Sequence, residues 1–125
     1  MTKNTKITLQ ELIRRKEQML ESKKTPKTAT LYVKSLDGTI TIESPTSSIA
    51  KEAQDMENGD AYMVYSCVTE PCLKSKELRD AFGCIEPMEI VEKVFEPGEV
   101  PQIAMECLKL AGYIDGVKAV DEVKN

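Results

Sequence analysis

The sequence predicts an α+β fold: one mostly helical domain over residues 1–125 with a single two-stranded antiparallel β-hairpin at about residues 30–43. Three observations lead to this prediction. An amphipathic segment with a helix-start pattern opens the chain, two alternating segments flank an Asp-Gly pair, and short helical segments separated by Pro and Gly follow. Because an isolated two-stranded hairpin is only marginally stable in water, we expect the short helices to pack against its apolar face.

At the N-terminus, residues 8–22 are predicted to form an amphipathic helix. Thr8 and Glu11 make a capping-box pattern, in which the threonine side chain satisfies a free N–H at the start of the helix. The opposite face is highly charged, and the polar stretch at 23–27 is predicted to end the helix and to act as a linker. The apolar residues recur at the spacing of one helix face: Leu9, Leu12, Ile13, Met19 and Leu20.

The hairpin is the clearest local pattern in the chain. Asp37-Gly38 is a pair favoured in two-residue type I′ turns, and alternating segments lie on both sides of it. Such a turn would pair Val33 with Ile42. One face of the hairpin is then apolar and is predicted to be buried: Leu31, Val33, Ile40 and Ile42.

The region 46–113 is predicted to consist of short helices that end at Pro or Gly. The segment 61–69 is apolar on nearly all sides, which favours a central buried helix, with a strand as the alternative for the same run. Gly83 is predicted to end its helix in the left-handed conformation, and the tail at 114–125 is predicted to be loose. We expect helices at about 46–57, 61–69, 75–82, 88–95 and 100–111.

Composition excludes several kinds of active site. The chain has no His, which removes Ser-His, Cys-His and most zinc-hydrolase arrangements. The four cysteines are separated by 5, 12 and 23 positions with no C-x-x-C pair, so we expect free buried thiols and neither a zinc site nor disulfides. No Walker loop or G-x-G-x-x-G motif is present. The sequence therefore predicts a protein that is not an enzyme, with no catalytic residue, cofactor or metal.

Charge is unevenly distributed along the chain. Residues 1–34 contain nine Lys or Arg and three Glu, a net charge of +6, whereas residues 35–125 contain eight Lys or Arg and eighteen Asp or Glu, a net charge of −10. Such a dipolar chain favours head-to-tail association or docking on a charged partner at low salt, and two solvated faces without a partner are the simpler alternative.

Nucleic acid and membranes are not expected partners. The chain as a whole is acidic, and its basic stretch at 14–27 lacks the interleaved aromatic residues or Trp and Phe anchors that RNA-binding and membrane-binding segments use. No apolar run approaches the roughly 18 residues that span a bilayer, and the polar residues 1–6 have no signal-peptide pattern. We expect a soluble, cytosolic protein.

A series of short motifs runs through the second half of the chain. A P-x-L-x-x-x-x-L-x-x-x-[YF]-G stretch is followed by an [LF]-x-P-G-E turn and then by a helix that closes on G-[YF]. The residues are Pro71, Leu73, Leu78, Phe82 and Gly83, then Phe95, Pro97, Gly98 and Glu99, then Gly112 and Tyr113. In this order and spacing, the motifs resemble those of the XkdN-like family of phage tail assembly chaperones. The N-terminal T-L-x-E-L helix and the hairpin are also similar, so the resemblance covers most of residues 8–114.

The resemblance implies an assembly factor and no enzyme. Such chaperones bind the long, apolar-rich tape-measure protein before the tail tube closes around it, and they are generally not retained in the finished tail. The resemblance thus implies action in the bacterial host cytoplasm on the tail of a phage, prophage or tail-like particle. It implies the tape-measure protein as partner, with self-association or a longer frameshift product as further possibilities. The alternative is a structural tail or baseplate component that stays in the particle.

Two helix faces are candidates for binding this client. Soft aliphatic side chains suit an amphipathic helical client, and the chain has six methionines, whose side chains adapt to varied partners. The apolar stripe of the helix at 8–22 is preferred because its linker is polar and its opposite face is charged. A helix that simply docks on the hairpin would show the same stripe.

The second candidate face lies on the last predicted helix. Its members recur at helical spacing: Val100, Ile103, Cys107 and Leu108. Four motif residues are assigned to maintaining the fold and not to client contact: Phe82, Gly83, Pro97 and Gly98.

Overall fold

The computed structural model of the chain describes residues 5–120. These residues contain seven α-helices and one three-stranded antiparallel sheet, which confirms the α+β class. The prediction of a sheet with only two strands is wrong, because a third strand pairs with the hairpin. In chain order the elements are α1 (Leu9–Arg14), α2 (Lys16–Ser22), β1 (Thr28–Val33), β2 (Gly38–Glu43), α3 (Ser47–Gln54), α4 (Gly59–Cys67), β3 (Val68–Glu70), α5 (Lys76–Ala81), α6 (Glu89–Val94) and α7 (Glu99–Leu110).

The chain divides into two compact units. One comprises residues 27–116 and contains the sheet with α3 to α7, and the other comprises residues 1–26 with 117–125. The single domain predicted over 1–125 stays a prediction. Of the tail predicted to be loose, residues 114–120 form turns and irregular backbone without an α-helix, and residues 121–125 lie outside the described residues.

The strands β1 and β2 pair in a different register from the predicted one. Ile42 pairs with Ala29 and not with Val33, a shift of four residues. Because side chains alternate between the two faces of a strand, an even shift leaves each residue on its predicted face. The expected apolar face is therefore the buried one: Val33, Ile40 and Ile42 are in the core and Leu31 is half-buried.

The register differs because the loop is longer than a two-residue turn. Lys34–Leu36 forms a 3₁₀ turn, and Asp37 follows it in the left-handed conformation, with φ 47° and ψ 48°. The Tyr32 hydroxyl donates a hydrogen bond of 2.8 Å to the Asp37 carboxylate. Asp tolerates the left-handed conformation better than most residues, and here the Tyr32 hydroxyl also holds its side chain.

The third strand, β3, continues directly from α4. It pairs antiparallel with β2, with Val68 opposite Ile42 and Glu70 opposite Thr41. The Thr69 hydroxyl also donates a hydrogen bond of 3.3 Å to the Thr41 carbonyl. With only three residues and no turn sequence before it, β3 has no local pattern that distinguishes it from the end of the preceding helix.

The helix α4 is central and buried, as its sequence predicts, although it ends at Cys67 and not at residue 69. Met63, Val64 and Cys67 are in the core, and α4 packs against α3, α6 and α7. The helix α7 also packs against β1 and β2, with Ile103 and Cys107 in the core. The apolar face of the hairpin is thus covered within residues 27–116.

The contact between α3 and α4 depends on Gly59, the first residue of α4. A Cβ atom at this position would lie 1.9 Å from the carbonyl oxygen of Ala53, which is far below contact distance. Because that neighbour is backbone, a side chain at position 59 forces the two helices apart. The sequence predicts a helix boundary at Asn58-Gly59 but gives no sign of this close approach.

We expect Gly59→Ala to destabilise the protein by about 1–3 kcal/mol, since the added methyl group overpacks the junction of α3 and α4. The free energy of unfolding, measured by urea denaturation followed by circular dichroism, tests this. Gly98→Ala is the control, because a Cβ atom there has no described heavy atom within 4 Å. An equal loss of stability in the two variants would contradict this account of Gly59.

Candidate partner-binding surface

The amphipathic helix predicted at 8–22 is present as α1 and α2, which meet at Arg15. The Arg15 N–H donates a hydrogen bond to the Glu11 carbonyl at 3.1 Å, and the Met19 N–H donates one to the Arg15 carbonyl at 2.9 Å. Arg15, with φ −88° and ψ 0°, is therefore both the last capping residue of α1 and the residue that precedes α2. The single helix predicted at 8–22 is thus two short helices in the structure, and the apolar residues of both are exposed.

Half of the predicted capping box is present at the start of α1. The Thr8 hydroxyl accepts a hydrogen bond from the Glu11 N–H at 3.1 Å, as expected. The Glu11 carboxylate binds the guanidinium groups of Arg14 and Arg15. The hydrogen bonds from Arg14 and then Arg15 lower the pKa of this carboxyl group. The charged face opposite the apolar stripe is thus an ordered group of ion pairs.

The apolar stripe of α1 and α2 is exposed. Leu9 is 69% exposed and Leu20 is 60% exposed, and neither helix contains a buried residue. Exposed large apolar side chains grouped on one helix face are typical of a surface that binds a partner. The stripe consists of Leu9, Leu12, Ile13, Met19 and Leu20.

Two lysines lie on the same face as this stripe. Lys16 precedes Met19 by three residues, and Lys23 follows Met19 by four, so both lie beside it on the helix surface. A partner that covers the stripe must therefore supply apolar groups together with carboxylates for these two ammonium groups, since burial of an unpaired charge is costly. A search for apolar spacing alone misses the lysines, whereas a helical wheel of all residues shows them.

The second candidate face, on α7, is largely part of the core. Ile103 is 4% exposed and Cys107 is completely buried, while Val100 and Leu108 are half-buried. The stripe on α7 therefore packs against α4 and the sheet, and Ile103 and Cys107 are inaccessible to a client in the folded protein. A helical stripe has the same sequence pattern whether the protein itself or a partner covers it, which is why spacing did not separate the two faces.

Two of the four cysteines, Cys67 and Cys107, are buried in the core. All four are free thiols, as predicted, but the expected burial is wrong for Cys72, which is exposed in the turn after β3. A hydrogen bond with Cys67 and burial raise the pKa of the Cys107 thiol, so it remains neutral. A neutral buried thiol is a poor nucleophile. The Cys67 Sγ also lies 3.7 Å from the Met63 Sδ, which makes this cluster part of the packing.

The four motif residues assigned to fold maintenance differ in their surroundings. Gly83 has φ 66°, which confirms the predicted left-handed end of α5. Phe82 is the C-cap residue of α5 and is 44% exposed. Pro97 and Gly98 form the turn before α7, where Gly98 has φ −75°, a conformation open to any residue. A structural need for glycine is therefore evident at 83 and not at 98.

The last residue of the P-G-E motif joins two distant parts of the chain. The Glu99 carboxylate accepts hydrogen bonds from the Glu96 N–H at 2.9 Å, from the Ser35 hydroxyl at 2.8 Å and from the Ser35 N–H at 3.2 Å. It thus fixes the turn before α7 to the loop between β1 and β2. The hydrogen bond from Glu96, followed by those from Ser35, lowers the pKa of this carboxyl group. The sequence contains no signal of this contact.

Neither a membrane helix nor a metal centre is evident in the described part of the chain. No helix within residues 5–120 has the length and apolar character needed to cross a bilayer. The same residues contain no group of three or more Cys, Asp or Glu side chains arranged to hold a metal ion.

A small α+β protein that exposes an apolar helix face has the features of a protein-binding module. Residues 2–124 match the family model described as "Phage XkdN-like tail assembly chaperone protein, TAC". The chain belongs to this family, which confirms the resemblance seen in its motifs. It is therefore a phage tail assembly chaperone, a kind of protein that acts during assembly. No curated protein and no solved structure matches the chain.

We expect Glu99→Gln to destabilise the protein at neutral pH and to have less effect in acid. The folded pKa of Glu99 lies below its usual value of 4.5, so its contribution is complete above pH 4.5 and is lost as the pH falls through the folded pKa. Urea denaturation midpoints over a pH series measure this. The control is Glu77→Gln, a change at an exposed glutamate of α5. A wild-type-to-variant difference that stays constant at every pH would contradict the assignment.

Proposed function

We propose that this chain binds the tape-measure protein during tail morphogenesis, and that the apolar stripe of α1 and α2 is the contact surface. The observation that carries the proposal is the exposure of five large apolar side chains on α1 and α2 in a member of a tail assembly chaperone family. The stripe on α7 is excluded from the proposed surface because its central residues Ile103 and Cys107 are buried.

The physical basis is the burial of apolar surface between two helices. Complete burial of one leucine side chain is worth about 1.5–3 kcal/mol, so a stripe of this size is sufficient for a specific contact even after the cost of association. Met19 adds an unbranched side chain that adjusts to varied partner surfaces. Such a surface can hold successive segments of a long helical client without requiring one exact sequence.

The two lysines on the stripe specify the client segment further. Lys16 and Lys23 are seven residues apart, which is about 10.5 Å along a helix. We expect the bound segment to be an amphipathic helix with carboxylates at a similar spacing beside its apolar residues, because each ammonium group then retains a partner of opposite charge.

The proposed site of action is the bacterial host cytoplasm, and the chaperone is proposed to leave before the tail is complete. The client is synthesised there, and its apolar segments need cover only until the tube encloses them. The binding energy must therefore be moderate, so that assembly of the tube can displace the chaperone.

Co-expression with the tape-measure protein tests the proposal. We expect the chain to keep the client soluble and to be recovered bound to it. The variant Leu12→Ser with Leu20→Ser should weaken binding by roughly 100-fold or more, because two leucine side chains no longer become buried. Since both residues are exposed, the free energy of unfolding should stay near that of the wild type.

The matched control is Gln18→Ser with Glu21→Ser, which changes two residues on the opposite face of α2. This variant should bind the client as the wild type does. Equal client solubility with and without the chaperone would overturn the proposal. Stoichiometric recovery of the chain in purified particles, measured by mass spectrometry, would instead support the alternative of a structural tail or baseplate component.

A further inference from the structure

A groove within residues 27–116 combines apolar walls with acidic side chains. It lies between the α3–α4 junction and the start of α7 and has a volume of about 580 Å³. Phe95, which is 2% exposed, forms part of its floor. Among the described residues that line it, none is Lys or Arg. The residues that matter here are Met56, Glu57, Asp60, Glu92 and Val100.

Within residues 5–120, the three carboxylates of this groove have no ion-pair partner. They belong to Glu57, Asp60 and Glu92, whereas the ion pairs of this part of the chain lie on α1, α2, α5 and α7. Met56 is 37% exposed and Val100 is half-buried, so apolar surface also remains open between the carboxylates. The groove is thus complementary to a helix that carries apolar and basic side chains on one face.

The chain itself contains such a helix. The exposed face of α2 presents Met19 and Leu20 between Lys16 and Lys23. Residues 1–26 contain seven Lys or Arg and three Glu, a net charge of +4, whereas residues 27–116 contain eight Lys or Arg and sixteen Asp or Glu, a net charge of −8. The two units are therefore complementary in charge. In addition, both α2 and the groove expose apolar side chains.

We infer that this groove binds α2 of a second copy of the chain, so that the chaperone associates head to tail. In the inferred contact, Lys16 and Lys23 of one copy face the carboxylates of the groove, and Met19 and Leu20 lie over Met56 and Val100. Self-association of this kind does not depend on the proposed client. The contact is heterologous, because a helix of one copy enters a groove of the next. It therefore builds either a closed ring or an open chain that ends in a free groove and a free helix.

Another large groove on this unit fits a basic helix less well. It lies between β1 and α7, has a volume of about 670 Å³, and includes Lys34 among its lining residues. Its Glu99 carboxylate already accepts hydrogen bonds from Ser35 and Glu96. A positive charge and an occupied carboxylate reduce the attraction for a basic partner, which favours the groove beside α3 and α4.

Sedimentation equilibrium of the full chain over a range of concentrations tests the inference. We expect an average mass above the 14.0 kDa of one chain at about 0.05 M salt, and a decrease toward that value at about 1 M salt, where the Debye length is about 3 Å. Reversal of the groove charges in Glu57→Lys with Glu92→Lys should weaken association by roughly tenfold or more. Reversal of the helix charges in Lys16→Glu with Lys23→Glu should do the same.

A mixture of the two charge-reversed variants provides the sharper test. The unchanged helix of the first variant fits the unchanged groove of the second, and the two reversed surfaces also attract each other. Association should therefore return toward the wild-type level when the variants are mixed, although each variant alone associates more weakly than the wild type. The matched control is Glu77→Lys with Glu86→Lys, which makes the same change in net charge at two exposed residues outside the groove and should associate like the wild type.

Three results would overturn the inference. The first is the mass of a monomer at every concentration at low salt. This result would overturn the inference even if α2 binds the groove of its own chain. Equal weakening by the Glu77 and Glu86 control would show that net charge alone is responsible. Failure of the mixed variants to associate, with each variant showing the circular dichroism of the wild type, would exclude this pairing of helix and groove.

Discussion

The burial of α4 is the constraint on which the rest of the compact unit depends. A helix that is apolar nearly all round must be covered on every side, and α3, α6, α7 and the sheet are arranged to do so. Its first residue, Gly59, brings α3 within backbone contact. Its last residue leads directly into β3, so the same segment both fills the core and completes the sheet.

This packing also decides which apolar surface is available to a partner. Covering α4 and the sheet uses the centre of the stripe on α7, where Ile103 and Cys107 are buried. The stripe on α1 and α2 has no such role, since neither helix has a buried residue. Two stripes with the same sequence pattern thus differ in accessibility, because only one of them is needed to close the core.

Features set by neighbouring residues were predictable from the sequence. The Thr8 cap, the left-handed Gly83 and the buried face of the hairpin depend on a few adjacent residues or on the alternation of a strand. The central position of α4 followed from its apolar composition. The features that depend on distant residues were not predictable: the hairpin register, the pairing of β3, and the contact between Glu99 and Ser35, which are 64 residues apart. The acidic groove belongs to this second group, since α3, α4, α6 and α7 contribute to its surroundings.

Client binding and self-association, as proposed, use the same face of α2 and therefore exclude each other. A chaperone that waits for its client has to keep an apolar stripe accessible without letting it aggregate, and exposed stripes of this kind are prone to nonspecific association. A groove that presents carboxylates to Lys16 and Lys23 restricts this association to one geometry, and it remains reversible because much of the attraction is electrostatic and screened by salt. The apparent affinity for a client segment is then reduced by the fraction of helices already held in a groove. A long client with many adjacent segments overcomes this competition, because each bound chaperone raises the local concentration of client around the next one.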